Sequence, residues 1–195
     1  MRPPIRTVSF TKLSEATPAD FELRRLANAP FVSATPERIL AALETVAVTF
    51  VGHQISILDH MLQAATRAAR DGADDDLVVG ALLHDFGTLF APHNHAEFAA
   101  ALLRPYVREE VHWVVRHHGI FQLYHRGAKP DRDPNRRERY RASPYYETCI
   151  RFCERWDQTS FDPAYRSLSL ADFAPIVRRV FARPPHAVDL LGWGE

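Results

Sequence analysis

Apolar residues recur at helical rather than strand spacing along most of the chain. In "ISILDHMLQAATRAARDGA", Ile55, Leu58, Leu62, Ala65 and Ala69 fall on one stripe, and Gly72 predicts the stop. "TPERILAALETVAV" predicts an earlier helix, with Thr35 as N-cap and Pro36 at the first helical position, and Gly52 marks a break after it. Asp74 to Asp76 cap a more apolar helix, "LVVGALLHDF", ended by Gly87. "AEFAAALLRPYV" and "REEVHWVVRHHGIF" follow, with Pro105 near their junction, and then "YYETCIRFCERWDQ" and "LADFAPIVRRVFA". No segment alternates with the period of a strand, and there is no repeat. The expectation is an all-α single domain over 1–195. It divides into a loosely packed N-terminal arm (1–34) with one short helix, a helical core (35–182) and a C-terminal tail (183–195).

Composition adds exclusions. A chain of 195 residues, 46% apolar and 25% charged, buries a core without covalent staples. The 24 basic residues balance the 24 acidic ones, so no global charge draws the chain to nucleic acid or to a membrane. No apolar run approaches the roughly 20 residues of a membrane span. "MRPPIRTVSF" has prolines where a secretion signal would need its apolar centre. Two cysteines build no disulfide framework, and the expected location is the cytoplasm. Seven of the ten histidines lie between His84 and His125.

The stretch "ALLHDFGTLF" sets His84 and Asp85 side by side at the end of an apolar helix. Alone, such a pair is read as a charge-assisted hydrogen bond in a core. Its surroundings change that reading. His60 lies on the preceding helix, His95 opens the following one, His118 closes the next, and Asp157 sits near the end of "RFCERWDQ". Imidazoles and carboxylates on helix flanks are what helical metal sites use, and the mixture suits first-row metals such as iron and manganese. A carboxylate can also bridge two ions. Of the adjacent pair His117-His118, only His118 shares the face of Val111, Val114 and Val115, so His117 points elsewhere. His93 is the nearest rival to His95.

The ordered set His60, His84-Asp85, His95, His118 and Asp157 resembles the HD-domain superfamily of helical metalloproteins, over roughly residues 50 to 165. Many members are metal-dependent phosphohydrolases. Members with the two additional histidines hold two metals, and these include cyclic-dinucleotide phosphodiesterases and di-iron oxygenases. "LDHMLQAATRA", "ALLHDFG", "HAEFAAALL" and "RWD" look most like the oxygenases that cleave carbon–phosphorus bonds, a branch related to myo-inositol oxygenase. The resemblance implies a dinuclear centre in the bundle core, with two irons as cofactor and a small-molecule substrate and dioxygen as partners. A phosphohydrolase reading implies manganese or another divalent metal instead. The chain departs from that branch at three places. Phe50 and Thr88 stand where a tyrosine and a histidine close the substrate-free iron site, and Gln122 stands where a lysine is expected.

Other residues are weighed beside this set. Gln122, one turn beyond His118, together with Tyr124 and Arg155, are candidate substrate contacts, and "GIFQLY" (119–124) predicts a pocket wall. Cys149 and Cys153 share a helix face with Asp157, and are read as small residues that let the helix approach the core. The basic segment 126–141 is either a solvated loop or a lid for an anionic substrate. His112 and His125 are read as surface residues or neighbours of the ligands.

Overall fold

The computed structural model describes residues 7–46, 52–126 and 133–186. Phe50 lies outside them, as do Lys129 and Arg132 of the basic segment. Every regular element among the described residues is helical, as the pattern predicts. The chain order is α1 (Pro18–Ser33), α2 (Thr35–Val46), α3 (Ile57–Arg70), α4 (Asp75–Leu83), α5 (His95–Leu103), α6 (Glu109–Gln122), α7 (Tyr146–Phe152) and α8 (Leu170–Phe181). Short 3-10 turns at Leu13–Glu15, Phe86–Leu89 and Arg136–Tyr140 and a π turn at Cys153–Asp157 complete it. No described helix is long and apolar enough to cross a membrane.

Capping sets several boundaries. Ser56 accepts from the Asp59 amide while the Asp59 carboxylate takes the Ser56 N–H, so α3 starts at Ile57 rather than at Ile55. Its end matches the sequence: Gly72 has φ +76°, a conformation that L side chains rarely adopt. Asp74 caps α4 through the Leu77 amide. Ser169 and Asp172 form the same reciprocal cap on α8.

Two expectations are corrected. The arm carries a sixteen-residue helix, started by the reciprocal Thr17–Asp20 cap with Pro18 at its first position. A weak apolar pattern hid it, since most of its residues are exposed. Thr35 is the first residue of α2 and not its cap. Its hydroxyl donates to the Val32 carbonyl at 2.6 Å and ties α2 to the end of α1.

α4 lies at the centre and packs against α3, α6 and α8. Residues 76–83 are all buried, which explains why "LVVGALL" is apolar all round instead of amphipathic. α3 and α8 carry clear polar and apolar faces and cover it from outside. Leu82, Leu83, Leu103, Val111, Phe121, Phe152 and Phe173 are fully buried around it. The C-terminus of α4 therefore opens into the middle of the bundle, where His84 and Asp85 begin.

Candidate metal centre

His84 follows the last residue of α4 and is completely buried. Asp85 comes next with φ −103° and ψ 5°, the sparsely populated bridge region common at active sites. The backbone then turns through Phe86–Leu89. Gly87 lies inside this 3-10 turn rather than ending α4, so its role differs from the expected helix stop. A Cβ on Gly87 would come within 2.3 Å of the His95 carbonyl oxygen and 2.7 Å of its Cα. Only glycine lets the start of α5 lie against this turn and bring His95 to Asp85.

The six residues singled out in the sequence converge. His60 Nε2 is 3.1 Å from His84 Nε2, 3.4 Å from Asp157 Oδ1 and 3.5 Å from Asp85 Oδ2. His84 Nε2 is 3.6 Å from Asp157 Oδ1 and 3.7 Å from Asp85 Oδ2. The other oxygen of Asp85 faces the opposite way. Oδ1 lies 3.2 Å from His95 Nε2 and 3.3 Å from His118 Nε2. The two oxygens of one carboxylate thus lie against different imidazoles, and His84, Asp85 and His118 also present ligand atoms within 4.8 Å of one another, as do His60, His84 and Asp157. His118 is buried on the Val111, Val114 and Val115 face of α6. His117 stacks on Trp113 and gives Nδ1 to the Trp113 carbonyl. His93 is exposed.

Each of the four imidazoles points Nδ1 at a backbone carbonyl. His60 faces Ser160 O (2.8 Å), His84 faces Ala81 O (2.8 Å), His95 faces Pro92 O (3.3 Å) and His118 faces Val115 O (2.7 Å). A carbonyl only accepts, so Nδ1 carries the hydrogen and Nε2 presents a lone pair to the centre. Backbone contacts of this kind orient metal-binding histidines. The Ser160 contact is itself held in place, because Gln63 donates to Asp162 O at 2.8 Å and accepts from Asp162 N at 3.3 Å. Sequence reasoning missed Ser160 and Gln63: a carbonyl acceptor has no residue signature, and the partners are about a hundred positions apart.

The residues fit a cation on two further counts. Neutral Nε2 lone pairs of His60 and His84 facing one another at 3.1 Å repel unless a positive charge lies between them. Asp157 Oδ2 is buried without any hydrogen-bond partner, a costly state for a carboxylate oxygen that a cation relieves. Burial resists charging His60, but the Asp157 and Asp85 carboxylates overcome it and raise the His60 pKa. Burial also resists charging His84, and there the Asp85 and Asp157 carboxylates prevail in the same way. In return the imidazoles hold both aspartates well below the usual carboxylate range against the cost of burial. Burial lowers the pKa of His95. The two carboxylates thus favour positive charge at His60 and His84, a role that a bound cation would fill instead of protons.

The surroundings are asymmetric. His60, His84, His118 and Asp157 are at most 3% exposed, whereas the side chains of His95 and Asp85 are 30% and 21% exposed, so the His95 edge faces outward. Phe161 stacks on His60 at 4.4 Å. Cys149 and Cys153 are buried, with thiols toward the Val114 and His118 carbonyls, and so pack α7 and the π turn onto α6. Of the candidate substrate contacts, Gln122 is buried one turn past His118. Tyr124 is 48% exposed, with the Arg137 guanidinium 3.6 Å above its ring. Arg155 is not brought to the centre: it pairs with Asp71 at 3.1 Å, beside the Trp156 indole that donates to the same carboxylate.

An all-helical bundle with histidines and aspartates gathered at the end of its central helix defines a class of metal-dependent enzymes. Residues 57–158, more than half of the chain, match the HD domain family, and the chain belongs to it. Over 93 residues it is 29% identical to [1-hydroxy-2-(trimethylamino)ethyl]phosphonate dioxygenase (glycine-betaine-forming) of Leisingera caerulea. That match covers 42% of this chain and spans about half, 47%, of the relative.

Proposed function

We propose that the chain is an HD-domain di-iron oxygenase acting with dioxygen on a small hydroxylated or amino-bearing organic acid. In this reading His60, His84 and Asp157 would hold one iron, His95 and His118 would hold the other, and Asp85 would be shared between them. The division of the two Asp85 oxygens between different histidines supports two metals, and the observation that turns a two-metal site toward oxygen chemistry is the likeness to a dioxygenase. That likeness extends over 93 residues and supports oxygen chemistry over hydrolysis. That relative's substrate joins a hydroxyl and a phosphonate to a trimethylamino group, and a hydroxyl beside an acid is the part that chelates a metal.

Iron, when bound, supplies electrons to dioxygen and a Lewis acid for the substrate oxygens. The protein's part is orientation and exclusion of water. The buried His60–His84–Asp157 side is closed, so substrate and dioxygen enter past His95 and Asp85. Thr88, half-buried in the turn after Asp85, is a smaller side chain where the branch has an imidazole.

Protein purified without oxygen and loaded with iron should consume dioxygen with at least one 2-hydroxy or 2-amino acid of a panel. Phosphatase and phosphodiesterase assays on the manganese-loaded protein run alongside. Phosphate release with manganese and no oxygen uptake with iron would assign the chain to the hydrolases of the family.

A further inference from the structure

Two buried nitrogens lack hydrogen-bond partners at the end of α6: His125 Nε2 and Arg137 Nε. The Arg137 side chain is only 11% exposed. Its nearest carboxylate, Glu138, stands 3.7 Å from Nε, beyond hydrogen-bond reach. Glu138 is also already engaged, accepting from Tyr146 Oη at 2.9 Å and from Arg141 Nε at 3.0 Å. A guanidinium withdrawn from water with an unused donor is retained at a cost unless something else brings the acceptor.

The pair adjoins the candidate centre. His125 N donates to the Gln122 carbonyl, one turn past His118. Burial lowers the His125 pKa and the Arg137 cation lowers it further, while the Glu154 and Asp157 carboxylates oppose them. Arg137, stacked on Tyr124, and His125 therefore lie at the C-terminal end of α6, one to two turns past His118. The face of Tyr124, the aromatic surface that a cationic group would seek, is already covered by Arg137.

We propose that Arg137, with His125 beside it, anchors a second anionic group on the substrate, at the end remote from the oxygens that chelate metal. This rests on the metal-centre reading above and narrows its substrate to hydroxy acids with an anionic tail. A guanidinium fork matches two oxygens of a carboxylate or phosphate-type group. His125 adds a donor in its Nε2–H tautomer. Arg137 is one residue of a basic segment whose other described arginines have different work or face solvent, so the segment's general charge does not single it out.

The test uses manganese-loaded protein, which binds without turnover, and calorimetric titration with four acids. These are 2-hydroxybutyrate, malate, 2-hydroxyglutarate and a 2-hydroxy acid ending in trimethylammonium. Malate or 2-hydroxyglutarate should bind about tenfold more tightly than 2-hydroxybutyrate, and the cationic acid no better than the neutral one. Arg137→Gln should remove that advantage while leaving 2-hydroxybutyrate within about twofold of its original affinity. Arg137→Lys should keep part of it, since the charge remains and the fork is lost. Circular dichroism and metal content show that each variant is folded and loaded. Equal affinity for all tails in the unsubstituted protein, or an equal loss for all acids in Arg137→Gln, would overturn the anchor and leave the metal centre standing. No binding by any hydroxy acid to loaded protein would instead overturn the chelation on which both readings depend.

Discussion

Asp85 is the residue on which the centre turns, because among the described residues its carboxylate is within 4 Å of all four histidines. Asp85→Ala should empty both metal positions. His95→Ala should empty one and leave the His60, His84 and Asp157 side loaded, a difference that metal analysis of the purified variants reads directly. Unchanged metal content in His95→Ala and in His118→Ala would reduce the site to one metal. Gly87 matters for a different reason. Its added methyl would meet backbone, not a movable side chain, at 2.3 Å. Gly87→Ala should cost about 1–3 kcal/mol in denaturant unfolding and shift His95 away from Asp85. A variant of full stability and full metal content would show that the turn relaxes freely.

At the scale of elements, what was legible in the sequence depended on whether a feature is local. Apolar spacing, capping residues and Gly72 marked α3, α4 and α8, because those signals sit within one helical turn of the boundary. That six side chains would come together was legible because each stands on or beside a helix with an apolar face. α1 was underestimated because a capping box carries its start and no apolar stripe follows. That cap makes a pH-dependent prediction. The Thr17 hydroxyl and amide and the Ser9 amide donate to the Asp20 carboxylate and hold its pKa down at about 2. A depressed carboxyl stabilises the fold above its unfolded value near 3.9 and loses that contribution as pH falls toward the folded value. Amide protection in α1 should therefore weaken between about pH 4 and pH 2, and Asp20→Asn should weaken it at neutral pH and flatten the response. Protection that does not change across that window would remove Asp20 from the start of α1.

The whole molecule is built around a cluster that opposes its own burial. Two carboxylates and four imidazoles occupy the middle of an apolar bundle, and long-range contacts invisible to the sequence hold them there. Gln63 reaches Asp162, Arg67 reaches the Thr159 carbonyl and His60 reaches Ser160. The same blindness explains Arg155: its Asp71 partner is 84 positions away, so a basic residue beside "WD" looked available. A cation that binds only the folded chain should raise its stability, by about 2.7 kcal/mol at a hundredfold excess over the dissociation constant. Thermal unfolding with and without chelator measures this, and identical transitions would contradict a metal buried in the core.

Two metals joined through Asp85 would be close enough to couple magnetically. Iron content and Mössbauer spectra of protein loaded with iron in the absence of oxygen test for that pair most directly. The account predicts two irons per chain, magnetically coupled, with both the second iron and the coupling lost in His95→Ala. One iron per chain, or two without coupling, would contradict it.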